Sequence, residues 1–368
     1  MADVFYSSIY GALTQNVQIR FDEVTAQHKK LYDNVIFEKF LDWDEPTIGL
    51  TFEEWLGQYH MTIAAATIGD NSFEPIVGRE GMEKFAEKVL NHAITIPMTD
   101  DEYRKILSIL DSKSLPDKVK TTRLVNSMFK DAKDAVGGVL AKIDLIFLTA
   151  LSNEGIVTLD ETNNPEGGVR GTINYQQPAE NIATASTPWT DANIATVDVF
   201  EDIQAIAEAA SEKVTLAKIL CAPKIINYIC RSKKMKQVVF GTDKSSSPLL
   251  ASNLNAFLAQ NGLPVFEPIR REILIQNHTK RIPVRPWNEN NLVFVPDGKL
   301  GLVKNAFANN ELKPQPGVAY SNYGRIRVSQ WGVGETQDTN GVEFTKAQCR
   351  ALPVITEMSG IYTLKTKE

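Results

Sequence analysis

The chain has 368 residues, 43% of them hydrophobic and 23% charged, the proportions of an ordinary globular protein. That mix excludes a disordered chain, a collagen and a coiled-coil rod, and the length suggests two or three domains at roughly 150 residues each. With 39 Lys and Arg against 45 Asp and Glu, the net charge of −6 runs against a dedicated nucleic-acid binder, whose affinity comes from neutralising phosphates.

At the N-terminus, Met1-Ala2-Asp3 lacks the basic-then-apolar order of a signal peptide, and the chain reads as a soluble protein made in the cytoplasm. Residues 1–50 mix charges with Phe5, Tyr6, Tyr10, Phe21, Tyr32, Phe37, Phe40 and Trp43. So short a segment cannot bury all these rings on itself, so it reads as an arm that packs against something else. Val24, Leu31 and Val35 share one face of a helix over Asp22–Leu41. Residues 52–100 run out through Met61-Thr62-Ile63 to the polar tip Gly69-Asp70-Asn71-Ser72, then return through Phe85, Val89, Ile94 and Ile96. Local propensity makes Met82–Leu90 a helix, while alternation through Ala93–Met98 argues for a strand.

The clearest element follows. Ser114 can cap a helix that has Pro116 in its first turn and Asp117 at the third position. From there Val125, Met128, Phe129, Ala132, Val136, Leu140, Ile143, Phe147, Ala150 and Leu151 recur at three- and four-residue steps, and Gly155 is a natural stop. Thirty-odd residues make a spine of roughly 50 Å, with a bend expected at Gly137-Gly138. No uncharged apolar run approaches the roughly 18 residues of a membrane span, since Asp144 interrupts Ile143–Leu151.

Val169–Tyr175 then leads to a second region. Phe200, Ile203, Ile206, Ala207 and Ala210 mark one helix, Pro223–Arg231 a second, and Leu250, Leu254, Phe257 and Leu258 a third that stops at Gly262. Strands are expected at Leu263–Phe266, Ile273–Ile275 and Leu292–Val295, with Pro296-Asp297-Gly298-Lys299 as a hairpin turn into Leu300–Val303. The chain closes with strands at Arg325–Trp331, Val342–Thr345, Leu352–Thr356 and Ile361–Leu364. Such alternation of helices and meandering strands is an α+β layout.

Chemistry is harder to find. Cys221, Cys230 and Cys349 are odd in number and widely spaced, which argues against a disulfide framework or a CxxC metal site and suits a reducing compartment. His28, His60, His92 and His278 include no pair four residues apart that could hold zinc on one helix face. There is no P-loop, dinucleotide fingerprint or GxSxG elbow. Asp42, Asp44 and Glu45, and again Asp100, Asp101 and Glu102, could act as acid and base or bind a divalent ion. The second cluster is accounted for without chemistry by the dipole of a following helix. Asp160–Asn164 lacks the glycine and glutamate of a calcium loop and reads as a turn. Arg231, Lys233, Lys234 and Lys236 lack interleaved aromatics and read as a solvated face. No cofactor, metal or catalytic residue is assigned.

The spine's exit, Leu148-Thr149-Ala150-Leu151-Ser152-Asn153-Glu154-Gly155-Ile156-Val157, the strand Gly171-Thr172-Ile173-Asn174-Tyr175 and the linker Thr187-Pro188-Trp189-Thr190-Asp191 resemble, in this order, the major capsid proteins of tailed double-stranded DNA phages. The lambda-type (E-family) branch of the Hong Kong 97 fold is the nearest likeness. The resemblance implies an N-terminal arm (1–51), an E-loop β-hairpin (52–100), a peripheral domain (101–194) with its spine helix (115–153), an axial domain (195–315), and strands returning to the peripheral domain (316–368). It also implies a structural role: hexamers and pentamers closing into an icosahedral head, in the virion, around dsDNA contacted non-specifically. Scaffolding, portal and decoration proteins are the implied partners, with no membrane. No scaffolding extension precedes the arm, which implies separate scaffolding or protease-free assembly. Interface duties fall on Phe5, Tyr6 and Tyr10 of the arm and on Phe73, Arg79 and Glu80 near the hairpin tip. The same fold could instead serve as an encapsulin-type shell around an enzyme. From a different class stands an α+β enzyme with Asp42, Asp44, His60 or His92 in a cleft.

Overall fold

The computed structural model describes residues 4–5, 18–23, 32, 34–56, 83–113, 116–166, 169–242, 247–277, 280–333, 335–336, 339–340 and 343–367. Its longest helix is the spine, Asp117–Ser152. The stripe Met128, Ala132, Val136, Leu140, Ile143, Phe147 and Leu151 is buried along its length. Pro116 is extended (φ −60°, ψ 145°) and caps the helix from outside rather than lying in its first turn; Ser114, the expected cap, lies outside the described residues. At the other end the Gly155 N–H reaches back to the Ala150 carbonyl at 2.9 Å, with Glu154 and Gly155 both left-handed (φ 58° and 77°). That six-to-one bond closes the helix where the glycine predicts it.

The helix continues through Gly137-Gly138, and what that pair supplies is room. A Cβ on Gly137 would stand 3.1 Å from the Tyr32 ring, and one on Gly138 3.2 Å from the Ile94 side chain. Contrary to the sequence reading, this helix is long and apolar enough to cross a membrane, but 72% of its apolar window is buried in the protein, as a core helix requires.

Beside the spine lies a seven-stranded sheet gathered from the whole chain. Its order is Val4–Phe5, Ile326–Val333, Glu343–Ile355, Gly301–Ala306 and Leu41–Trp43, with Ala319–Tyr323 beside the second strand and Leu90–Pro97 beside the third. Glu343–Ile355 is one strand of 13 residues where the sequence suggests two. Lys346, Ala347 and Gln348 have weak strand propensity, but Thr345 is paired on both sides, with Gln330 and with Ile96, and pairing overrides propensity. The helix suggested over Met82–Leu90 gives way to a strand, Glu83–Lys88, for the same reason: it pairs antiparallel with Thr51–Leu56.

A second, five-stranded sheet runs Val265–Pro268, Leu216–Cys221, Asn291–Pro296, Tyr362–Lys365 and Ile182–Thr184. It is buried on both faces, which is why Leu292-Val293-Phe294-Val295 reads as a continuous apolar run. Leu220, Val293 and Val295 point to the core shared with the spine, whereas Ile219, Cys221, Leu292 and Phe294 point to a second core under the helices. Those helices are Val199–Ser211, Pro223–Arg231, Lys233–Phe240 and Ala251–Gln260. Lys233–Phe240 was not expected; the Ser232 hydroxyl accepts the Met235 N–H and starts it directly after its neighbour.

One further expectation fails here. Pro296–Lys299 does turn, with Gly298 at φ 97°, but its flanking strands do not pair. Asn291–Pro296 pairs with Leu216–Cys221 and Tyr362–Lys365, whereas Gly301–Ala306 pairs with Glu343–Ile355 and Leu41–Trp43, so the turn passes the chain from one sheet to the other. Within residues 316–368, those up to Ile355 build the first sheet, and Tyr362–Lys365 joins the second.

The helix expected over Asp22–Leu41 is also replaced. Residues 18–23 are helical, Phe37–Phe40 form one turn, and Leu41–Trp43 is already a strand. The break follows from Asp144, whose carboxylate accepts the N–H groups of Ile36 (3.0 Å) and Phe37 (2.8 Å) and restarts the helix there.

Candidate assembly surfaces

The carboxylates singled out in the sequence, and His92 among the histidines, are bound into local structure; His28, His60 and His278 lie outside the described residues. Asp42 pairs with Lys299 (2.9 Å), Asp44 with Lys304 (2.7 Å) and Glu45 with Arg325 (2.9 Å), tying the N-terminal segment to the first sheet. Burial pushes the Asp44 carboxyl up, but the hydrogen bond and charge of Lys304 outweigh it and hold the group below the usual range. His92 is buried, with Nε2 3.0 Å from the Ala351 carbonyl; burial and then the Lys142 charge lower its pKa to about 4, so it is neutral at pH 7. Among the described residues no contact joins His92 to Asp42 or Asp44; His60 lies outside them.

Asp100, Asp101 and Glu102 occupy the first turn of the helix Asp100–Asp111. Thr99 and Glu102 form a capping box: the Thr99 N–H donates to Glu102 Oε2 (3.0 Å), and the Glu102 N–H to Thr99 Oγ1 (3.4 Å). That T-x-x-E signal was readable from the sequence. Asp160 accepts the N–H groups of Thr162 (2.8 Å) and Asn163 (3.1 Å), a turn rather than an ion loop. Arg231 and Lys234, from the basic stretch, pair with Asp191 (2.8 Å) and Asp198 (3.4 Å). Burial pushes the Cys221 and Cys349 thiols up to about 12, far from a reactive thiolate. Among the described residues no group of three His, Cys, Asp or Glu could hold a metal.

What the sequence missed is the junction at Asp144. This fully buried carboxylate sits on the spine, accepts backbone donors from the N-terminal segment, and meets Arg271 Nε at 2.8 Å. Arg271 stands just before an exposed two-stranded ribbon, Ile273–Asn277 with Lys280–Val284. Burial raises the Asp144 pKa to about 6 against the opposing pull of Arg271 and the two N–H groups. Trp189 plays a comparable part near the second sheet: its Nε1 donates to buried Asp202 (2.9 Å), and its ring stacks on Tyr228.

Of the expected interface residues, Phe5 has its backbone paired with Gly332 at the edge of the first sheet. Tyr6, Tyr10, Phe73, Arg79 and Glu80 lie outside the described residues. The edges themselves differ in how they are finished. On Val265–Pro268, Asn255 bonds both the N–H and the C=O of Phe266 (2.9 Å each). On Ala319–Tyr323, Gln18 does the same for Asn322 (2.7 and 3.2 Å). On the ribbon's second strand Pro283 has no N–H to offer.

The family described as phage major capsid protein E matches residues 78–366, and the chain belongs to it. No curated protein sequence matches the chain. A solved structure described as a prophage capsid protein from Escherichia coli CFT073 shares the fold, with a TM-score of 0.54 at 13% identity over 95% of this chain and 98% of that one. A phage-related protein from Bordetella bronchiseptica RB50 gives 0.48 at 11% identity over 99% and 98%. An encapsulin from Synechococcus elongatus PCC 7942 gives 0.32 at 10% over 89% and 85%. The fold resembles Hong Kong 97-like capsid proteins, and the family makes the protein a structural, shell-forming one of the phage capsid kind.

Proposed function

We propose that the protein is the major head protein of a lambda-type tailed phage, assembling through hexamers and pentamers into an icosahedral shell around dsDNA, without catalysis. The match to the capsid family along residues 78–366, through both sheets and the spine, carries this reading. In it, residues 1–51 act as the arm and 52–100 as the E-loop, the spine and first sheet form the peripheral domain, and the second sheet with its helices forms the axial domain. Scaffolding and portal proteins act with it, and the finished shell resides in the virion. A shell subunit needs elements whose burial is completed by neighbours, and sheet edges assembled from distant segments suit that. Negative-stain electron microscopy of the protein, expressed with and without its neighbouring genes, tests the reading. Closed shells or capsomer rings are expected; uniform small particles under every condition would overturn it.

A further inference from the structure

The first sheet packs one face on the spine, with Ile326, Val328, Ala347 and Cys349 in the core. Side chains alternate along a strand, so the other face carries Tyr320, Arg327, Trp331, Phe344, Lys346 and Arg350, all half-buried. The register sets them side by side. Trp331 lies opposite Phe344, their rings 5.6 Å apart and 22° from parallel. Lys346 stands two residues further along the same strand, opposite Ser329. Arg327 sits opposite Gln348 and holds its guanidinium 4.4 Å above the Tyr320 ring. Arg350 follows two residues beyond Gln348, so Phe344 to Arg350 covers about 20 Å of strand.

These three cations are not neutralised. Arg327 and Arg350 each bond a neutral amide, Asn322 Oδ1 at 3.1 Å and Asn309 Oδ1 at 3.4 Å, and each keeps a buried Nε without a hydrogen-bond partner. Lys346 forms no hydrogen bond or ion pair among the described residues, and burial lowers its pKa from the ordinary lysine value. Of the nearby acids, Glu343 belongs to the spine side, beside Gly332, and Glu311 Oε2 accepts the Ala308 N–H at 2.6 Å. The chain's net charge of −6 thus coexists with a stretch of sheet where Ala319–Tyr323, Ile326–Val333 and residues 344–350 carry cations and no carboxylate.

We infer that this face binds single-stranded nucleic acid, with phosphates on Arg327, Lys346 and Arg350 and bases against Trp331 and Phe344. Uncountered cations beside aromatic rings match both parts of a nucleotide, the phosphate and the base. An acidic peptide would satisfy the cations and leave the rings unused. A duplex keeps its base faces inside its own stack, so only an unpaired strand engages cations and rings together. The short span sets a site of about four nucleotides, the lower end of what sheet surfaces of this kind hold.

This inference goes beyond the shell reading and is tested apart from it. The full-length protein is titrated into a fluorescein-labelled oligothymidylate of about 20 nucleotides at about 50 mM salt, and binding is read by anisotropy. Saturable binding is expected, with a log–log salt slope of about −2, the value for three phosphates on a single strand. A duplex of the same length should bind at least fivefold more weakly. Lys346→Gln, at a half-buried and unbonded position, should make the slope shallower by about 0.7. Trp331→Leu should weaken binding at least fivefold with unchanged circular dichroism. No binding, equal affinity for the duplex, or an unchanged slope in Lys346→Gln would overturn the inference. Polyglutamate competing as well as the oligonucleotide at equal charge would also overturn it and give the face to an acidic protein. Shells that close normally without strand binding leave the shell reading intact, and strand binding by particles that never close would sink that reading alone.

Discussion

The two sheets are built on opposite plans. The five-stranded sheet takes most of its strands from one stretch, residues 182–296, and is covered by helices from that same stretch. The seven-stranded sheet collects strands from residues 4–5, 41–43, 90–97, 301–306 and 319–355 around the spine. The first plan depends on local signals, the second on long-range pairing and on buried polar contacts that hold distant segments together. Substitutions at those long-range contacts should therefore cost most, and local ones less.

The largest effect is expected at Asp144 and Arg271. Arg271→Met leaves a fully buried carboxylate without its cation, a loss of about 3–5 kcal/mol in unfolding free energy by urea titration. A loss below about 1 kcal/mol would show that the junction does not hold the spine to the N-terminal segment and the ribbon. The pH dependence has a definite sign. The folded pKa, about 6, lies above the ordinary value of 3.8, so the folded state binds the proton more tightly than the unfolded chain. Wild type should therefore gain on Asp144→Asn as pH falls from about 6 to about 4, by on the order of 2–3 kcal/mol. A gap that shrinks over that window would mean that the Arg271 attraction, not burial, dominates.

Next comes Gly301, where the chain enters the first sheet from the second. A Cβ there would sit 2.1 Å from the Val354 carbonyl oxygen and 2.8 Å from the Thr356 nitrogen, and backbone cannot swing aside as a side-chain tip can. Gly301→Ala should cost about 3 kcal/mol. A thermal midpoint within a degree or two of wild type would show that the strand can shift away from Glu343–Ile355. A smaller effect belongs to the local sheet: Asn255→Ala uncovers the Phe266 N–H and C=O on its edge, where water can replace the amide, and should cost about 1 kcal/mol. Light scattering should also show concentration-dependent association, since the freed edge can accept a strand.

This contrast also explains what could be read from the sequence. Pro223–Arg231, the stop at Gly262 and the acidic first turn at Asp100 are signalled by residues within a few positions of the structure they set. Pro296-Asp297-Gly298-Lys299 misleads because a turn motif specifies a reversal but not which strands pair after it. Glu83–Lys88 and the middle of Glu343–Ile355 depend on partners far away in sequence, so their own composition says little. Asp144 looked like an interruption in an apolar run; its meaning required knowing that Ile36 and Arg271, more than a hundred residues away on either side, converge on it. The amides Gln18 and Asn255 give no sequence signal, because any surface Gln or Asn looks the same until an edge strand lies opposite.

The smallest effect on folding, and the one that separates folding from assembly, is expected at Arg79. It belongs to the stretch 57–82, which lies outside the described residues. If Arg79 serves only contacts between subunits, Arg79→Glu should leave circular dichroism and the unfolding midpoint unchanged, a surface substitution away from the core contributing within about 0.5 kcal/mol. If Arg79 forms an ion pair with a neighbouring subunit, the reversal places like charges together at every copy of that contact, and shell yield should fall several-fold. Repetition is what makes the test sensitive: a pair worth about 0.5 kcal/mol is negligible in a monomer but counts at each interface of a closed assembly. Normal shells from the variant would remove Arg79 from the interface and leave contacts between subunits to the sheet edges and the N-terminal segment.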